Sequence, residues 1–239
     1  MKAGLLKCSV AAGVVGFAAS ANAVVINEMR GNVPGSDSAG EYVELFGTPG
    51  ESLDGLTFVG IGDFGTNVGT IENVVDLSGQ SIPADGYFVI ADVGFGGGDL
   101  GFDPTVLDLA GLDQALENND SIAYLLVTGF SGMLDDDLDT DDDGTLDTLA
   151  WASIVDGIQI IDPTPDRSFD YSAQLGIPSL GPDGNFSPAQ WYRNPDGSGD
   201  FEIGAFNGGT DTPGATNVPE PATAVLLGLG GLAMLRRRG

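Results

Sequence analysis

The sequence predicts an all-β fold of the sandwich or barrel class. Short segments rich in β-branched and aromatic residues recur along the chain, punctuated by Gly, Asp and Pro at intervals of roughly ten residues. With its two ends set aside, about 195 residues remain, one domain's length and enough to bury a core. Helical spacing of apolar residues is confined to one short stretch, residues 107–117.

Taken in order, strands are expected over residues 24–29, 41–46, 56–61, 71–77, 87–91, 121–127, 154–160 and 201–203. In the second of these, Val43 and Leu45 share one face while Tyr42, Glu44 and Phe46 share the other. Residues 107–117 are expected as the short helical exception. The glycine-rich stretch 94–98 lacks the lysine and the strand-to-helix setting of a phosphate loop, so it reads as a plain loop. No repeat of fixed period is visible.

The ends are addresses. Residues 1–23 carry Lys2 and Lys7, an apolar stretch over 8–19, and then Ala21-Asn22-Ala23. That is the make-up of a secretory signal helix, and the small Ala21 and Ala23 suit signal peptidase, giving a mature chain from Val24. Lys7 precedes Cys8 where a lipidated cysteine wants a small residue, so lipidation is rejected. The other end, residues 218–239, runs Val218-Pro219-Glu220-Pro221, an apolar segment over 222–235, and then Arg236, Arg237, Arg238 and Gly239. The apolar segment has 14 residues, against the ~20 that a spanning helix needs, so it is a short hydrophobic helix with a weak or transient hold on a bilayer. The arginines keep that end cytoplasmic and leave the rest outside. Motif, segment and basic cluster in this order resemble the PEP-CTERM sorting signal of Gram-negative bacteria. The resemblance implies processing by an exosortase, transient anchoring in the inner membrane, and delivery to the cell surface or extracellular matrix.

Between the ends, the body keeps three basic residues, Arg30, Arg167 and Arg193, against 34 acids, a net charge of about −31. Such a field repels nucleic-acid phosphates and attracts divalent cations. The body contains no Lys, His or Cys. Disulfides, thiolate and common zinc sites, Ser-His-Asp triads, cysteine nucleophiles and Schiff bases are therefore unavailable to it. A carboxylate pair or an aspartate-held metal survives as possible catalytic chemistry. With so many acids, some pair falls at any chosen separation by chance, and no catalytic residue is assigned. The arginines, surrounded by acids, are expected as structural ion-pair partners.

Val25-Ile26-Asn27-Glu28, then Gly40-Glu41-Tyr42-Val43-Glu44-Leu45-Phe46 and Ser52-Leu53-Asp54-Gly55-Leu56-Thr57-Phe58, resemble the opening of a lamin-tail domain in its bacterial secreted form. Residues 82–90, 119–125 and 154–157 resemble its later strands, and Thr212-Pro213-Gly214-Ala215-Thr216-Asn217 its closing motif. This resemblance implies an immunoglobulin-like β-sandwich over residues 24–217 and transfers no catalytic residue. Residues 128–150 exceed a simple hairpin and are expected as an insertion.

The insertion holds eight aspartates within the thirteen residues 135–147. Calcium takes six to eight oxygen ligands, and carboxylates at loop positions 1, 3 and 5 before a turn-making glycine at 6 wrap one ion. The frame from Asp139 supplies Asp139, Asp141, Asp143, Gly144, a carbonyl from Thr145 and Asp147 at position 9. It resembles the calcium loops of dockerin and thrombospondin type 3 repeats. Position 12 holds Ala150 instead of a bidentate carboxylate, with Asp135, Asp136, Asp137 or Asp156 as substitutes from elsewhere. The competing expectation is a solvated acidic loop kept open by its own repulsion.

Three functions follow in order. The first is an exported structural or binding module, calcium-stabilised and not an enzyme. The second is a carbohydrate-binding module of the exopolysaccharide layer, with Trp151, Trp191 and Tyr192 as a stacking platform, although core packing is the commoner fate of such residues. The third is a metal-dependent hydrolase.

Overall fold

The computed structural model describes residues 24–35, 39–62, 67–96, 98–112, 116, 120–165 and 168–217. The signal helix with Ala21 and Ala23, the sorting residues Val218, Pro219, Glu220, Pro221, Arg236, Arg237 and Arg238 with their hydrophobic segment, and Arg167 lie outside the described residues.

The strands are β1 (Val25–Arg30), β2 (Tyr42–Phe46), β3 (Leu56–Gly62), β4 (Thr70–Asp76), β5 (Tyr87–Ala91), β6 (Leu107–Ala110), β7 (Ile122–Thr128), β8 (Ser153–Ile160), β9 (Ser179–Leu180), β10 (Gln190–Asn194) and β11 (Asp200–Ile203). They form a six-stranded sheet in the order β11-β10-β1-β2-β5-β6 and a five-stranded sheet in the order β4-β3-β7-β8-β9. Pairing is antiparallel except for β5 with β6 and β8 with β9. The fold is thus an all-β sandwich of two mixed sheets. The only α-helix among the described residues is the single turn α1 (Ser172–Leu175).

All eight expected strands are present. The helix expected over residues 107–117 is corrected at its start, and residues 113–115 and 117 lie outside the described residues. Leu107–Ala110 is a strand beside β5, because Leu107 and Leu109 alternate with Asp108 and Ala110, a period of two. Asp108 fixes it there by accepting from the backbone N–H of Val89 at 2.8 Å.

Val43 and Leu45 share one face, as expected, and that face lies in the main core with Ile26, Met29, Phe88, Ile90 and Trp191 of the same sheet. Phe58, Val75, Tyr124, Leu126, Ile158 and Ile160 meet them from the other sheet. Phe58, Tyr124 and Trp191 stack in series, with centroids 5.8 and 5.7 Å apart, a geometry that adds to area burial. The outer faces are covered too. Val59, Ile61, Ile71, Ala123, Leu125 and Val127 pack under Leu138, Leu146, Ala150 and Tyr171, so β7 is buried on both faces up to its last residue. Tyr42, Val89 and Ala91 pack under Phe95 and Phe102. The rest of the first sheet's outer face, Glu28, Arg30 and Glu44, lies beneath a C-terminal strap of residues 204–217.

The two sheets are also riveted by a polar contact. Asp156 on β8 accepts from Arg193 Nη2 on β10 at 2.9 and 3.0 Å and from the N–H of Ile26 on β1 at 2.8 Å.

Candidate functional site

The acidic insertion is folded. Leu138 and Leu146 are buried in the outer cluster of the five-stranded sheet, which pins the loop at both ends. Its backbone extends the sheet edge: Ile71 N–H donates to Asp136 O at 2.9 Å, Asp135 N–H to Ile71 O at 2.9 Å, and Thr70 bridges Asp137. The expectation of an open, self-repelling loop is therefore overturned by apolar anchoring and edge pairing, which hold the acids in place.

Asp139 is the hub and is fully buried. Its Oδ1 accepts from Asp143 N–H at 3.1 Å, and its Oδ2 accepts from Gly144 N–H at 2.9 Å and from the Tyr171 hydroxyl at 3.0 Å. The chain curls around this side chain, with Asp142 at φ 54° and Gly144 at φ 84°, conformations that Asp and Gly tolerate. Gly69 is required beside it, since a Cβ there would lie 2.6 Å from the Asp139 Cβ. Asp147 accepts from Thr140 N–H at 2.8 Å, closing the loop across its mouth. Gln174 brackets Leu146, accepting from its N–H at 2.9 Å and donating to its carbonyl at 2.8 Å.

Carboxylate oxygens of Asp139, Asp141 and Asp147 lie within 4.8 Å of one another. Asp141 and Asp147 are exposed, so the trio opens to solvent. The Asp141 carboxyl is held above its ordinary range by the like charge of Asp143, with burial, Asp147 and Asp139 adding to it. Crowding of this kind favours a bound proton or a bound cation. Asp143 and Thr145 of the expected ligand set are exposed, and Asp143 is not one of the converging trio. Ala150 at position 12 is buried in the outer cluster. Asp156 is committed to Arg193 and Ile26 and is not a substitute. Asp136 accepts from Met133 N–H and Asp137 from Asp139 N–H, within the loop. The donor set fits a hard cation: three carboxylates, with Asp139 Oδ1 using one of its acceptor directions.

The other expectations resolve simply. Trp191 is fully buried and stacks on Tyr124, so the aromatic platform does not form. Trp151 packs against the outer cluster of the opposite sheet. Arg30 and Arg193 are ion-pair partners, of Asp211 and Asp156 respectively.

A second group of acids went unassigned by sequence reasoning. Glu28 and Glu44 are directly opposed across β1 and β2, and both are fully buried. Glu28 accepts from the Tyr42 hydroxyl, from Gln190 Nε2 at 2.7 Å and from the Thr212 hydroxyl at 2.8 Å. Glu44 accepts from Asn27 Nδ2 at 2.8 Å and from Gly214 N–H at 2.6 Å. Burial pushes the Glu28 carboxyl up to about 7, although the hydrogen bonds it accepts pull the other way. Burial, then the charge of Glu28, raises Glu44 well above its ordinary value. Beside them Arg30 places all five N–H donors: on Asp211, twice, and on the carbonyls of Asn32, Phe206 and Ala205. The strap ends on Asn217, whose N–H reaches Asp196 and whose Nδ2 reaches Arg193 O, each at 3.1 Å. The available signal was the run of small and polar residues 207–217, which needs partners for its backbone.

Residues 217–238 match the PEP-CTERM protein-sorting motif. This marks an exosortase-sorted, exported surface protein. Neither the curated proteins nor the solved structures contain a match to the chain. No helix among the described residues is long and apolar enough to cross a membrane.

Proposed function

We propose that the chain is a structural or binding module of the cell surface or extracellular matrix, not an enzyme, and that its insertion is a calcium clamp. The observation that carries the clamp is the convergence of Asp139, Asp141 and Asp147 on a loop already wound around Asp139. An ion there relieves the mutual repulsion of acids that the fold holds together, and extracellular calcium satisfies even sites of millimolar affinity. The loop sits on the outer face of the five-stranded sheet, so the ion stiffens that face and leaves the core between the sheets untouched.

The lamin-tail-like, immunoglobulin-like reading of the sandwich is part of the same proposal. Its support is that the motif segments fall, in order, on β1, β2, β3, β5, β7 and β8, and that the closing motif is the strap. Calorimetry on the purified protein tests the clamp. Millimolar calcium should release or absorb heat and raise the melting temperature, and both effects should vanish in Asp139→Ala. A protein whose melting is indifferent to calcium has no clamp. Metal-dependent turnover lost in Asp141→Ala would instead make the same loop a hydrolase site.

A further inference from the structure

Where the strap crosses β10, Gln190 meets Thr210. The Thr210 hydroxyl donates to Gln190 Oε1 at 2.5 Å, and its oxygen accepts from the Ala205 N–H at 3.1 Å. On the other side of the amide, Nε2 donates to Glu28 Oε1 at 2.7 Å and to the Thr210 carbonyl at 3.3 Å. The amide orientation follows from its neighbours: Nε2 faces a carboxyl and a carbonyl, and Oε1 faces a hydroxyl whose own oxygen is engaged by an N–H. Gln190 and Glu28 are fully buried, which keeps water from the amide and the carboxyl, while Thr210 is half-buried. Position 204 has to be glycine for this approach, because a Cβ there would overlap Gln190 Oε1 and lie 2.6 Å from Thr210 Oγ1.

We propose that Thr210 and Gln190 form an intramolecular side-chain ester, with Glu28 as the proton relay. The Thr210 Oγ1–Gln190 Cδ bond forms, the Cδ–Nε2 bond breaks, and one ammonia leaves. The hydroxyl proton moves onto Oε1 along the hydrogen bond it already makes. Glu28 in its acid form gives a proton to the departing Nε2 and recovers one as the Cδ=O bond re-forms. The step is redox-neutral and uses no co-reactant. A nucleophile and a carbonyl group held in contact react far faster than the same groups free in solution, and loss of ammonia to bulk solvent draws the exchange forward. A carboxyl titrating about pH 7 is present in both the donating and the accepting form near neutrality.

The link suits this chain. Its one cysteine is Cys8, and the body has no lysine, so neither a disulfide nor a lysine isopeptide is open to it. An ester at 190–210 fastens the strap to the six-stranded sheet ahead of the sorting signal.

The experiment is mass spectrometry of the purified wild-type protein held folded at neutral pH and then digested with trypsin. Cleavage after Arg193 separates Gln190 from Thr210. The expected result is a covalently joined pair of peptides, lighter than their sum by one ammonia and split by alkaline hydroxylamine. Thr210→Ser should retain the link and Thr210→Ala should lose it. Glu28→Gln should slow its formation about a hundredfold, the scale of a general acid. If Glu28→Gln does not fold, the wild-type linking rate should fall as pH rises through the Glu28 titration. Recovery of two separate, unmodified peptides from folded wild-type protein overturns the proposal, as does a pH-independent rate.

Discussion

Two parts of this molecule concentrate acid, and they handle it in opposite ways. Beneath the strap, Glu28, Glu44 and Asp211 are buried with a complete set of donors: a guanidinium, a phenol, two amides, a hydroxyl and backbone N–H groups. In the insertion, the partners that eight aspartates find among the described residues are N–H groups and two hydroxyls, with no side-chain cation among them. The two regions differ in where their balancing positive charge comes from. Beneath the strap it comes from Arg30 of β1, while for the loop the proposed source is a cation from solution.

The sharpest way to break this contrast is Arg30→Ala. It strands Asp211 without its cation in a site where both side chains are almost fully covered. We expect a loss of about 3–5 kcal/mol in denaturant unfolding, with or without calcium.

The next largest effect is pH. Glu28 has its folded carboxyl raised to about 7 from 4.5, and Glu44 is raised as well. The folded state therefore binds protons more tightly than the unfolded one. Stability is fully present below about pH 4.5 and is lost as pH rises toward 7, by on the order of 3 kcal/mol for Glu28. Glu28→Gln should flatten that slope in unfolding curves measured across the window, and calcium should leave it unchanged.

Calcium comes third. Bound only by the folded loop, it should add about 1.4 kcal/mol when present at ten times its dissociation constant, read as a rise in melting temperature that a chelator reverses. Smallest is Tyr171→Phe, which removes one hydroxyl from Asp139. It should cost about 1 kcal/mol without calcium and weaken calcium binding only modestly, since the three carboxylates are unaltered. Equal losses in Tyr171→Phe and Arg30→Ala would show that the loop is as self-sufficient as the strap.

Local pattern made the eight expected strands and the acidic loop legible. Alternation in residues 42–46 assigned both faces of β2, because both of its neighbours in the sheet are antiparallel partners and its core face is purely apolar. β10 was illegible for the converse reason. Gln190-Trp191-Tyr192-Arg193-Asn194 contributes one core side chain, Trp191, and its buried neighbour Gln190 is polar. Its strand state depends on pairing with β1, more than 160 residues earlier. The Glu28–Glu44 pair was hidden likewise. Period-two reasoning puts both acids on an outward face, and only the strap, 184 residues on from Glu28, turns that face inward. In the loop, the sequence spacing located Asp139, Asp141 and Asp147 because their geometry is set within nine residues. It could not show that Tyr171 and Gln174 fasten the loop from beyond β8.

The position of β1 between β2 and β10 has a consequence for how the chain is made. The first strand to appear is interior to its sheet, and one of its two flanks is filled by residues 190–192. A chain emerging from a translocation pore N-terminus first thus holds β1 half-paired until nearly the whole polypeptide is through. Closure then waits on encounters between segments far apart in sequence, which are slow to find one another. During that interval β1 offers an open edge to whatever is near, including the β1 of a neighbouring chain.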